Sequence, residues 1–255
     1  EKEPEFFDPK IRYSAQQSNF SKIPGSPVAY WVSDNFIEAF EDGISIDTLS
    51  DYTGSQNKTA NNDLYLRIFW EVNRNNIGTK NHWVFYAKGG DYRKHYGNLE
   101  LVVDWSDSAR GFYKNNPTSN LLAERYWYQE GITYTMLTSK GPNFRYMSPC
   151  GVFDMGGPEI CYLGDNLFYI LAFLNTTVAK FYLSVFNPTI NLQAKDVKAL
   201  PIIVDIASKD CVSEIEKQCV DYSKLDWDSY ETSWDFQQHP LIHPLPCLAE
   251  RSEEH

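Results

Sequence analysis

Long apolar runs are missing from this 255-residue chain: the longest, Leu167 to Leu174, falls far short of the roughly 20 residues needed to cross a bilayer. Nothing near Glu1 has the basic flank and apolar centre of a signal peptide. We therefore expect a soluble, cytoplasmic protein without a membrane partner. Cysteine is also sparse. Cys150, Cys161, Cys211, Cys219 and Cys247 are odd in number, widely spaced and without a CxxC pair, so neither a disulfide framework nor a zinc ribbon follows. "HPLIHPLPC" sets His239, His243 and Cys247 at intervals of four, but Pro240, Pro244 and Pro246 forbid the helix that would align them as metal ligands. A proline-rich tail is the reading.

Catalytic signatures are missing too. Gly54 stands four residues before Lys58-Thr59, yet a phosphate-binding loop would need glycine where Tyr52 and Asn57 stand. There is no GxSxG elbow, and His82, His95, His239, His243 and His255 lack a nucleophile motif beside them. "NPTI", Asn187 to Ile190, resembles the Asn-Pro-Pro-aromatic loop of amino-methyltransferases, which grips the target amine and stacks the flipped base. The second proline and the aromatic are absent, and no glycine-rich turn is placed to hold S-adenosylmethionine. A helix end followed by a turn is the plainer reading. Asp104 with Asp107, and Asp226 with Asp228, read as solvated acidic faces. No catalytic residue, metal or cofactor is expected in this chain.

What is present is aromatic and unevenly charged. Hydrophobic residues make up 42% and aromatics 15%, a composition that suits a folded, β-rich chain. The net charge of −11 opposes indiscriminate binding to polyanions. Residues 55–150, however, hold twelve Lys/Arg against eight Asp/Glu, whereas 151–255 hold seven against sixteen. Positive charge is thus concentrated in the middle.

The first segment is irregular around Pro24, Gly25 and Pro27, and "DNFIEAFED" reads as a short helix capped by Ser33 or Asp34 and stopped at Gly43. Between about Leu64 and Leu163, "LYLRIFWEV", "HWVFYA", "LELVVDW", "ITYTML", "FRYM", "GVFDM" and "EICYL" read as short strands of a compact antiparallel sheet, with "SNLLAERYWYQ" as an inserted helix. Nearly all-round apolar patterning from Gly164 to Pro188 predicts buried helices, broken at Asn175-Thr176-Thr177. The strand "ALPIIV" and an amphipathic helix over 208–222 follow. The fold class is α+β.

Two loops mix cations with aromatics. In "NHWVFYAKGGDYRKHYGN", Lys88, Arg93, Lys94 and His95 interleave with Trp83, Tyr86, Tyr92 and Tyr96 around Gly89-Gly90; in "TSKGPNFRYMSPCG", Lys140 and Arg145 flank Gly141-Pro142. Such mixtures can neutralise phosphates while arginine and tyrosine reach or stack on bases. Solvated hairpins with inward aromatics are the alternative.

Six ordered blocks then carry a resemblance: "SNFSKIPGSPVAYWVSD", "TGSQNKTANNDLYLRIFWEV", "WVFYAKGGDYRKHYGNLELVVDW", "SKGPNFRYMSPCGVFDMGGPEICYLGD", "LAFLNTTVAKFYLSVFNPTINLQAKDVKALPII" and "DWDSYETSWDFQQHPLI". From about Phe20 to Ile242 the chain resembles the C-terminal half of the adenine-specific DNA methyltransferases of BREX phage-defence systems, the PglX family. The resemblance implies a target-recognition part, with catalysis and S-adenosylmethionine belonging to an N-terminal methyltransferase domain that the chain does not include. It also implies a charged helical tail beyond the matched part. The segments expected on this basis are a connector with a short helix at 1–50, an antiparallel β-rich recognition domain with packed helices at 51–206, and a C-terminal helix with an acidic tail at 207–255. "GSQNKTANND" becomes a loop beside duplex phosphates. Lys58, Lys88, Tyr92, Arg93, Lys94, Lys140 and Arg145 are the expected DNA contacts. Double-stranded DNA and the methyltransferase domain are the expected partners; other BREX proteins or a phage-made DNA mimic are the alternative.

Overall fold

The computed structural model describes residues 15–51, 56–239 and 241–242. Gly54 of the asparagine-rich loop, His243 and Cys247 of the tail, and the first fourteen residues lie outside this range. Helix α1, Asp34–Asp42, begins where the Ser33 hydroxyl accepts from Phe36 N at 3.3 Å and ends at Gly43, as the capping chemistry predicts. Its apolar face buries Phe36 and Ile37, with Phe36 stacked on Tyr182 at 4.3 Å between ring centroids. Strand β1, Ile44–Ser45, follows and later pairs antiparallel with β9, Pro201–Ile202.

Among the described residues, three small sheets form in place of the single sheet expected. The first has the order β2-β4-β3-β7, built from Leu66–Ile68, Leu101–Asp104, Trp83–Ala87 and Gly151–Phe153, and its β3-β7 pair is parallel. The second, order β6-β5-β8, is antiparallel: Phe144–Met147, Gly131–Tyr134 and Glu159–Cys161. The β1-β9 clip is the third. Both longer sheets are buried on both faces at β5, β7 and β8 and nearly so at β3, so these strands lack an exposed polar face, although β5 and β8 carry the polar residues Thr133 and Glu159.

Helix α2, Asp107–Asn115, was not evident from the sequence. Ser106 caps it, accepting from Ala109 N at 3.3 Å, and Ala109 and Tyr113 are its buried face. Conversely, "SNLLAERYWYQ" holds only a 3₁₀ turn at Glu124–Tyr126. Tertiary bonds claim its backbone instead: Asn120 pairs with Lys58, and Leu122 N donates to Asn57 Oδ1 at 3.0 Å. Helices α3, Leu167–Leu174, and α4, Thr177–Phe186, break at Asn175-Thr176, where Thr176 caps α4. Among the described residues no single helix is long and apolar enough to cross a membrane. Helix α5, Ile206–Asp228, extends beyond the expected 208–222 by absorbing "KLDWD".

The largest core joins Ile23, Phe36 and Ile46 to Ile132, Phe144, Leu171, Leu183 and Val220. Residues 23–46 and α5 thus share a core with the β6-β5-β8 sheet. One face of the β6-β5-β8 sheet, with Ile132, Tyr134, Phe144 and Ile160, belongs to that core. The strand alternation puts Thr133, Arg145 and Glu159 on the other face, because Thr133 pairs with Arg145 on one side and Glu159 on the other.

Glu159 is 1% exposed, and one carboxyl oxygen has no hydrogen-bond partner. Burial pushes its pKa well above the usual carboxylate range. Folding therefore takes up a proton between the unfolded and folded pKa values, so stability falls as pH rises through that window. Glu159→Gln removes this loss. Melting curves across pH should show the variant gaining on the native chain from about pH 4.5 upward; a gap independent of pH would contradict the buried neutral carboxyl.

Candidate nucleic-acid interface

The loop from Lys88 to Asn98 is held by the body of the fold and by a bond within the loop itself. Thr135 Oγ1 donates to Gly90 O at 3.2 Å, Asn98 Nδ2 to Asp91 O at 2.6 Å, and Arg145 Nη1 to Arg93 O at 3.3 Å. His95 adds to the edge of β6: its N–H donates to Phe144 O, and its carbonyl accepts from Tyr146 N, both at 2.8 Å. Gly89 makes the entry possible. At φ +87°, a Cβ there would lie 2.6 Å from Gly156 O, a contact no substituted residue tolerates. An anchored loop loses less conformational entropy on binding than a mobile one.

Lys88 and Arg93 face a common cleft of about 570 Å³, lined also by Asp91, Asn98, Trp227 and Thr232. Lys88 Nζ pairs with Asp154 Oδ2 at 2.6 Å. The Arg93 guanidinium lies 4.8 Å from the Trp227 ring and contacts Asp226 Oδ2 at 3.2 Å. Burial and neighbouring Asp91 raise the Glu100 carboxyl on the same rim, and Arg93 partly offsets this. The rim therefore offers acceptors as well as donors, the mixture that base edges require.

Lys58 pairs through its backbone with Asn120, and the residue before it touches the neighbourhood of Lys88. Asn57 bridges to Asp154, the partner of Lys88, and accepts Tyr86 Oη at its carbonyl at 3.3 Å. Lys58 itself is exposed, as is Tyr92. Lys140 is exposed on a separate loop, beside a second cleft whose walls include Lys180 and Asn187. Asn187 of "NPTI" caps the end of α4 and spends its amide on Asn191 O and Asp196 Oδ2 at 2.8 and 2.9 Å. The helix-end reading accounts for it.

Two expected contacts belong to the scaffold. Arg145 is 1% exposed; its guanidinium donates to Asn143 Oδ1, Thr135 Oγ1 and Arg93 O, and burial lowers its pKa to about 10. It remains charged at neutral pH but does not reach the surface. Lys94 turns inward, donating from Nζ to Asn175 O at 2.7 Å, where a cation complements the C-terminal end of α3. Lys94→Ala should therefore cost about 1 kcal/mol of folding stability. Chemical denaturation measures this; unchanged stability would mean that the lysine is not a helix cap.

The far wall of the cleft was read from sequence only as an acidic segment. Trp227 stacks under Arg93; Trp234, which lines a neighbouring pocket and not this cleft, packs edge-on against Phe69 and Phe85 while Arg74 lies 4.2 Å over its ring. The basic middle and the acidic C-terminal part pair with each other: Arg93 with Asp226, and His95 Nδ1 with Glu216 at 2.7 Å. Tryptophans spaced among aspartates were the available signal.

Comparison with known proteins fits this anchored loop into a longer framework. Over 233 residues the chain is 33% identical to the adenine-specific methyltransferase BrxX of Escherichia coli O9:H4 (strain HS), which covers 89% of this chain and 19% of that protein. Over 250 residues it is 30% identical to the adenine-specific methyltransferase PglX of Lacticaseibacillus casei (strain Zhang), 90% of this chain and 20% of that protein. The chain is homologous to a segment of the BrxX/PglX methyltransferases. It spans about a fifth of the length of these curated relatives. No protein-family profile matches it. The resemblance carried by the six sequence blocks is thereby supported across nearly the whole BrxX/PglX-like segment.

Proposed function

We propose that this segment is the DNA sequence-recognition part of a BREX-type adenine-specific methyltransferase, directing methylation of host DNA and so phage defence in the cytoplasm. Transfer of the methyl group and S-adenosylmethionine binding belong to another part of that enzyme. The observation that carries the reading is the Lys88–Asn98 loop, pinned at Gly90, Asp91, Arg93 and His95 and presenting Lys88 and Arg93 to one cleft. Arg93 and Tyr92 are the base-reading candidates, while Lys58, Lys88 and Lys140 are phosphate contacts. Fluorescence anisotropy on duplexes with and without the host methylation site tests this. Low-salt binding that prefers the site is expected, and no binding at low salt, where phosphate contacts are strongest, would refute it.

A protein-docking reading is favoured by one feature of α5. Ile215, Tyr222 and Leu225 are exposed on a helix that also carries Asp210, Glu214 and Asp221, a surface suited to a partner with basic and apolar groups. Other BREX proteins are candidates for that partner. Residues 151–255 alone cannot test it, because β7 and β8 complete sheets begun by β3 and β5. Variants of the whole chain at Ile215 and Tyr222 are the suitable probes.

A further inference from the structure

We propose that His95, Glu216 and Cys219 form a binding site for a zinc-class divalent cation, clamping the Lys88–Asn98 loop to α5. One ligand atom from each residue lies within 4.8 Å of the other two. Glu216 and Cys219 stand three apart on α5 and so share a face. His95 comes from the loop. A tetrahedral zinc with bonds of about 2.0–2.3 Å sets neighbouring ligand atoms about 3.3–3.8 Å apart, a spacing that falls between the 2.7 Å of the His95–Glu216 contact and the 4.8 Å within which all three ligand atoms lie.

The donor set selects the cation. Imidazole, carboxylate and thiolate together suit zinc and its neighbours, whereas magnesium and calcium prefer oxygen ligands alone. The site is preorganised on both sides. His95 sits at φ +67°, uncommon for a residue with a side chain, and both its backbone groups are fixed on β6. Glu216 is buried, with His95 Nδ1 2.7 Å from its carboxylate. A divalent cation binds cysteine as its thiolate. On binding, the thiol proton leaves to solvent and the His95–Glu216 contact opens to admit the metal.

The test is a cobalt(II) titration of the chelator-treated full chain. One equivalent should produce a sulfur-to-cobalt charge-transfer absorption. This absorption should vanish in Cys219→Ser, persist in Cys211→Ser, and need about tenfold more metal or higher in His95→Gln. In the native chain, one equivalent of zinc should also protect Cys219 from thiol alkylation, read by peptide mass analysis, which requires no variant to fold. Absence of a saturable one-equivalent signal, survival of the absorption in Cys219→Ser, or alkylation of Cys219 unchanged by zinc would overturn the site. None of these outcomes depends on DNA recognition.

Discussion

Arg145→Ala should lower folding stability by about 2–4 kcal/mol, through the lost packing of a buried side chain and the partners it leaves unpaired. Thr135 Oγ1, Asn143 Oδ1 and Arg93 O all lose a donor. Relief of the arginine's own desolvation, visible in its pKa lowered to about 10, recovers only part of that, because the cavity remains. Arg145→Met refills the volume and should recover some stability without restoring the hydrogen bonds. An exposed phosphate contact would behave differently, with substitution changing stability by no more than about 0.5 kcal/mol. Urea denaturation of both variants decides between the two roles. A fully stable Arg145→Ala chain with weakened DNA binding would return the residue to the surface.

Arg93→Ala should leave the fold intact and remove discrimination. The Arg93–Asp226 pair is exposed, with 32% and 61% side-chain accessibility, and pairs of that kind are worth less than about 1 kcal/mol. On the proposed reading, a bidentate contact to guanine in its place would gain about 1–3 kcal/mol on the correct base pair, with Trp227 under the guanidinium. The variant should therefore bind the site-containing duplex about 5- to 150-fold more weakly and a scrambled duplex nearly as well as before. Lys88→Ala should weaken both duplexes alike and reduce the salt dependence by about one unit. Anisotropy on both duplexes at two salt concentrations measures all four quantities. Equal losses on both duplexes for Arg93→Ala would make it a phosphate clamp.

Much of the fold was legible where a local rule and the tertiary structure agree. Ser33 and Gly43 bound α1, Thr176 separates α3 from α4, and branched or aromatic runs mark β3 to β8. Local pattern failed where distant partners override it. "SNLLAERYWYQ" has helical residues, yet Asn57 and Lys58 take its backbone into a bridge. The parallel β3-β7 pair joins segments too far apart for hairpin logic. The candidate site divides in the same way. The Lys88–Asn98 loop stood out by composition, but composition cannot tell a cation that faces solvent from one that faces a carbonyl. Lys94 and Arg145 are of the second kind because each donates to a backbone carbonyl, Asn175 O and Arg93 O. Sequence charge counts missed the contacts between the middle and C-terminal parts, since the Arg93–Asp226 ion pair and the His95–Glu216 hydrogen bond each span more than a hundred residues.

The central claim is that the cleft between the Lys88–Asn98 loop and the end of α5 faces DNA. Amide hydrogen exchange of the full chain, with and without a site-containing duplex at low salt, tests it most directly. Protection should concentrate at residues 56–58, 88–98 and 227–232, with the exposed stripe of Ile215, Tyr222 and Leu225 unchanged. Protection along that stripe with the loop unaffected would contradict the account.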